Sequence, residues 1–154
     1  MRSALGLALA LAVPGSGAAQ RLTATELGAG GLAAFARSDF AGGGLGVGRR
    51  VSSQTRVALS AAGGTLARRA AVRLEAAAHF LVTPAARTGV GLYGGTGLAF
   101  QAARRTPGAG YLVALVGIES APGRRAGWFA ELGLGGGVRV AAGWRWRRFP
   151  GWWR

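Results

Sequence analysis

The sequence predicts an all-β fold, eight antiparallel strands joined up-and-down into a barrel. Three observations predict it. First, AAVRLEAAAHFLV, residues 70–82, splits on every second residue into two unlike sets. One is Val72, Leu74, Ala76, Ala78, Phe80 and Val82; the other is Arg73, Glu75, Ala77, His79 and Leu81. Such alternation marks a strand with two different faces. Second, comparable segments recur along the chain, cut by turn chemistry, with little helical periodicity. Third, glycine is very abundant, at 29 of 154 residues, which suits a tightly curled sheet.

The elements follow in order. MRSALGLALALAVPGSGAAQ carries Arg2, then an apolar run of about ten residues from Ala4 to Val13, then small residues before Gln20. This is the layout of a secretory signal peptide, too short to span a bilayer as a helix. Residues 1–19 are therefore read as signal peptide and 20–154 as one β-barrel domain. Strands are expected at 22–36, 41–52, 55–66, 70–83, 89–102, 110–120, 126–134 and 138–149. The breaks between them are RSDF, SSQT, LARR, TPAART, ARRTPGAG, SAPGRR and GGG. The longest break is expected near 103–110. Segment 41–52 is the weakest, being nearly half glycine.

Which face meets water decides what the protein can be. A soluble surface carries roughly 25–35% charged residues. Here the face opposite the Val/Leu/Phe set is mostly glycine and alanine, with an occasional Arg, Glu, Tyr or His. Ten arginines fall at strand ends: Arg37, Arg49, Arg50, Arg68, Arg69, Arg87, Arg104, Arg105, Arg124 and Arg125. Charged rims and a second face of small residues fit a narrow barrel packed with side chains. Strands of about 10–14 residues are long enough for the 9–11 needed to cross a bilayer at a tilt near 45°. The apolar face then points outward to lipid, making a transmembrane β-barrel. The alternative is a soluble secreted β-barrel with its faces reversed, binding a small apolar ligand.

Parity fixes the last hairpin. Trp128, Ala130, Leu132 and Leu134 share a face, as do Val138, Val140, Ala142 and Trp144. Directly opposed residues share a face, so the connecting loop must hold an odd number of residues. Gly135–Gly137 supplies three. Leu134 should then oppose Val138, and Trp128 should oppose Trp144. Glu131 should lie across from Ala141 with Arg139 in salt-bridge reach, and Phe129 should cover Gly143.

The final segment, VRVAAGWRWRRF, ends in an aromatic residue, and Trp128, Trp144, Trp146 and Phe149 suit an interfacial aromatic girdle. With its signal peptide, strand count and dyad pattern, the chain resembles the small eight-stranded bacterial outer-membrane β-barrel proteins. The resemblance implies an outer-membrane location, partnership with the barrel-assembly machinery and contact with membrane lipids. It departs from the usual terminal signal in continuing with PGWWR and in placing Arg148 at an expected aromatic position.

Function classes can then be weighed. The net charge of +14 normally suggests nucleic acid, but half of the residues are apolar and the chain is read as secreted. Nucleic acid is therefore not expected. There is no cysteine, and one histidine with five scattered acids lacks ligand spacing, so neither metal nor cofactor is expected. GAGGLA, residues 28–33, lacks the strand–turn–helix context of a dinucleotide site. Some barrels of this kind modify lipid A with a His, a Ser and an acid. His79 has no serine two residues away, and the only inward serine nearby, Ser60 on the preceding strand, should sit beside Glu75 instead. No enzyme is expected, and His79 reads as an interior hydrogen-bonding filler.

An interior polar cluster is expected from Glu26, Arg73, Glu75, His79, Tyr93, Glu131, Arg139 and Arg145, with Glu75 meeting Arg73 or Arg56. Eight strands leave an interior only wide enough for side chains, so no conducting pore is expected. The function read from the sequence is a monomeric structural barrel of the envelope. Its arginine-rich rims would suit lipid phosphates, including those of lipopolysaccharide.

Overall fold

The structure, a computed structural model, describes residues 21–153; the segment read as signal peptide lies outside the described residues. Eight strands form it: β1 (Ala24–Phe35), β2 (Phe40–Arg50), β3 (Thr55–Leu66), β4 (Arg69–Leu81), β5 (Val90–Ala103), β6 (Thr106–Ser120), β7 (Ala126–Leu134) and β8 (Val138–Arg148). Each pairs antiparallel with its sequence neighbour, and β1 pairs with β8 to close the barrel. Closure leaves no free sheet edge.

Two connections differ from the sequence reading. β6 begins at Thr106, so the expected long break near 103–110 shrinks to Arg104 and Arg105. The ring of Phe100 lies over Gly108 and holds the glycine-rich start of β6 in the sheet, after a register shift between Gln101 and Ala103. The longest connection is instead residues 82–89, between β4 and β5.

Side-chain alternation divides the wall. Leu45, Leu59, Leu74, Leu98 and Leu112 point outward and stay at least half exposed. The inward set holds two small apolar clusters. One joins Leu81, Tyr93, Ala99, Val113 and Leu115; the other packs Ala34, Phe40 and Ala71. Charged side chains fill much of the remaining lumen.

Several inward glycines exist because the wall curls sharply. A methyl group at Gly44 would run into the carbonyl oxygen of Ala61 on β3. Outward Gly63 has no atom within 4 Å of that position.

The β7–β8 hairpin turns on Gly135–Gly137, with Gly136 at φ 76° and Gly137 at φ 131°, both in the left-handed range glycine tolerates. Leu134 opposes Val138, Leu132 opposes Val140 and Trp128 opposes Trp144. Phe129 lies opposite Gly143. The groups nearest a side chain at Gly143 are the backbone atoms of Ala29 and Gly30 on β1, because the β8–β1 seam is the closer approach.

Candidate functional site

The notable site is the lumen itself. Six arginines (Arg50, Arg56, Arg73, Arg139, Arg145, Arg147) and four glutamates (Glu26, Glu75, Glu119, Glu131) are buried there. They come from every strand except β5, which adds Tyr93 and Gln101. An isolated charge in so narrow a space would be costly, so opposite charges must meet.

They form one connected network. Towards the end that carries the chain termini, Glu26 accepts from Arg50 Nε at 2.6 Å and Arg56 Nη1 at 3.2 Å. Glu119 accepts from Arg56 at 3.0 Å, from Arg147 at 2.9 Å and, closely, from Arg145. Arg145 also reaches Glu131 at 3.6 Å, and Glu131 takes Arg139 Nη1 at 2.9 Å and the Tyr93 hydroxyl at 2.7 Å. Arg139 and Arg73 then both donate to Glu75, at 2.7 Å each. Arg73 finishes on the Gly135 carbonyl at 2.8 Å, so the network ends on the hairpin loop.

Aromatic faces fill what the ion pairs leave. The Arg56 guanidinium lies 4.6 Å from the Tyr93 ring centre, and that of Arg145 lies 4.5 Å from Phe129. Such cation–π contacts favour the cation over an apolar ring. Tyr93 also packs over Gly117, its partner on β6, and His79 over Gly95, its partner on β5.

The structure brings Glu26, Arg73, Glu75, His79, Tyr93, Glu131, Arg139 and Arg145 together in the lumen. It adds Arg50, Arg56, Glu119, Arg147 and Gln101. Arg50 is a correction to the rim reading. It is fully buried and donates to the carbonyls of Pro84 and Pro122, pinning two turns over the terminal end. The signal was there: outward Leu45 and Val47 are odd-numbered, so even-numbered Arg50 must point in. Glu75 meets Arg139 from across the barrel in addition to Arg73, while Arg56 goes to the glutamates of the other end.

Outside, Trp128, Trp144 and Trp146 stay partly exposed near the terminal end. Phe149 does not join them. It lies past the end of β8 on the inward parity, 5.5 Å from the Arg50 guanidinium and beside Trp153. It closes the lumen instead of facing outward. Trp153 in turn donates to the Gly123 carbonyl at 3.0 Å, so the tail folds across this end.

His79 Nδ1 accepts from Arg56 Nε at 3.0 Å, which leaves the proton on Nε2. Ser60 lies opposite Glu75, and Arg56 opposite His79. This geometry gives the histidine an arginine neighbour and no nucleophile to activate. Among the described residues no group of three or more His, Cys, Asp or Glu side chains could hold a metal ion. A cavity of about 120 Å³ remains beside inward Gly28, Gly30, Gly44 and Gly46. That is room for a few waters.

Solved structures supply the comparison. The N-terminal β-barrel domain of Pseudomonas aeruginosa OprF superposes with a TM-score of 0.66 at 18% identity, over 81% of this chain and 97% of that one. OprG, an outer membrane protein of the same organism, gives 0.63 at 8% identity, over 84% and 98%. Neisserial surface protein A gives 0.59 at 14% identity, over 80% and 96%. This chain shares the fold of the small eight-stranded outer-membrane barrels. No protein-family model and no curated protein matches its sequence.

Proposed function

We propose that this chain is a structural β-barrel of the bacterial outer membrane, secreted by its N-terminal signal peptide and closed to ion flow. One observation carries the reading: the wall is apolar outside and charged inside. Leu112 is 79% exposed while Arg50, on the opposite face of the wall, is wholly buried. In water that arrangement would expose a continuous apolar belt, and soluble monomers rarely present a patch larger than a few hundred Å². In a bilayer the belt is solvated by lipid, and the pairing of the strands satisfies the backbone.

The lumen supports the non-conducting part. A network of ten charged side chains linked from the terminal end to the Gly135 loop leaves ions no continuous path. The four hairpins at the far end, of two to four residues each, offer little surface for a large ligand. The function that fits is mechanical, a rigid element of the envelope whose rims contact lipid head groups, assembled by the barrel-assembly machinery.

Cell fractionation tests the location. The expected result is recovery in the detergent-solubilised outer-membrane fraction, with a gel mobility that changes on heating. Recovery from the periplasm without detergent would overturn the reading. Conductance across a planar bilayer tests closure, and stable single-channel steps would refute it.

A further inference from the structure

Two features of the outer wall have no role in the lumen and lie on the same strands. The first is a set of arginines at the hairpin end. Arg68 and Arg69 sit at the β3–β4 turn, and Arg104 and Arg105 form the β5–β6 turn. All four are exposed, and no carboxylate pairs with any of them among the described residues. The turns are tied together, since the Arg104 amide donates to the Ala70 carbonyl at 3.0 Å. Arg68 (φ 65°) and Arg105 (φ 62°) hold left-handed positions where glycine or asparagine is preferred. The sequence keeps arginine there despite the strain.

The second feature is a shallow, open groove on the outer face of β2–β6. Two cross-strand rows shape it. Leu59, Ala76, Leu98 and Leu112 form one; Ala61, Leu74, Phe100 and Gly110 form the other. Ala61 and Ala76, diagonal neighbours on β3 and β4, make a low floor beside Leu59, Leu74 and Leu98. Towards the arginines the wall stays low, with open space around Gly63.

We propose that this face binds one phosphorylated, multiply acylated lipid, the lipid A part of lipopolysaccharide, with an acyl chain in the groove and its phosphates on the two arginine pairs. The inference rests on the membrane-spanning reading above. The spacing suits it. From Ala76 to Arg69 is seven residues. That is about 23 Å along a strand, or about 16 Å along the membrane normal at a tilt near 45°. Half of a hydrocarbon core is about 15 Å. A head-group phosphate thus meets the turns while its chain reaches the floor. Guanidinium grips phosphate through paired hydrogen bonds, so two pairs of arginines match two phosphates.

The test uses the full barrel refolded in detergent and in vesicles, with diphosphorylated lipid A and its dephosphorylated form as probes. Native mass spectrometry should show one retained lipid A, bound at least tenfold more tightly than the dephosphorylated form. R68Q/R69Q/R104Q/R105Q should remove that preference. Ala76→Leu, which fills the floor, should weaken binding of both forms. R49Q/R148Q, at the other end, should bind as the parent does. Equal binding of the two probes, or full binding by the quadruple variant, would overturn the site while leaving the membrane reading intact. Heat-dependent gel mobility confirms that each variant is folded. Failure of the parent barrel to insert into vesicles would overturn both.

Discussion

The two faces of one wall, a single residue apart along each strand, carry opposite chemistry. On β4, Arg73, Glu75 and His79 are buried and ion-paired or hydrogen-bonded, while Val72, Leu74 and Phe80 are at least half exposed. A soluble protein arranges these the other way round. The difference teaches that burial alone does not locate the apolar core here: the lumen is filled by ion-paired side chains with arginine in excess, and the apolar faces of the strands are left to the surrounding solvent. Substitutions on one face at a time therefore separate the contributions of the two.

The largest effect is expected inside, at Glu119. It meets four arginines, Arg50 at 3.5 Å, Arg56 at 3.0 Å, Arg147 at 2.9 Å and, closely, Arg145. Glu119→Leu leaves four cations crowded around the single carboxylate of Glu26 at that end. Removing one member of a buried ion pair costs about 3–5 kcal/mol. Urea unfolding from vesicles should show a loss in that range or failure to fold. Glu75→Leu, with two arginine partners, should cost less but still a few kcal/mol. A loss under about 0.5 kcal/mol is what an exposed pair would give and would place Glu75 in water.

The outer face gives the next effect. Leu98 sits in the middle of β5, 63% exposed. Leu98→Arg should cost about 2–4 kcal/mol if that position faces the bilayer midplane. On a soluble protein the same exposed substitution would fall within about ±0.5 kcal/mol. Unfolding titrations of the two proteins side by side therefore decide which solvent the wall faces, and a neutral result would reverse the inside and outside assignment.

How far the sequence reveals these faces depends on where a residue lies along its strand. In the middle, period two suffices: Arg73, Glu75, Glu131 and Arg139 can be placed on the lumen side from parity alone, and the three-glycine loop sets the β7–β8 register. At the ends parity is harder to use, because a charged residue there can also reach past the rim. Arg50, Arg147 and Glu119 belong to that class, and both arginines are drawn inward by Glu119 and Glu26. Phe149 lies past the last paired residue, where the tail turns over the barrel end. Contacts across the lumen are not legible at all from neighbouring strands. Glu75 and Arg139 are 64 positions apart and meet only because the barrel closes.

The smallest effects come from glycines on opposite faces of one hairpin, and they isolate wall curvature from charge. Gly44 points inward on β2, and a methyl group there would meet the Ala61 carbonyl and the Ala62 backbone of β3. Neither is the movable tip of a side chain, so the strands themselves would have to separate. Gly44→Ala should cost about 1–3 kcal/mol, the usual range for overpacking. Gly63 is on the outer face of β3, with nothing within 4 Å of the added carbon and an ordinary strand backbone. Gly63→Ala should be neutral or stabilise by up to about 1 kcal/mol, since alanine restricts the unfolded chain more than glycine does. Both changes add the same single methyl group, so unequal unfolding midpoints report the side on which it was placed. Equal losses at the two positions would mean that glycine serves strand flexibility generally and that the inward positions are not set by close approach of the wall.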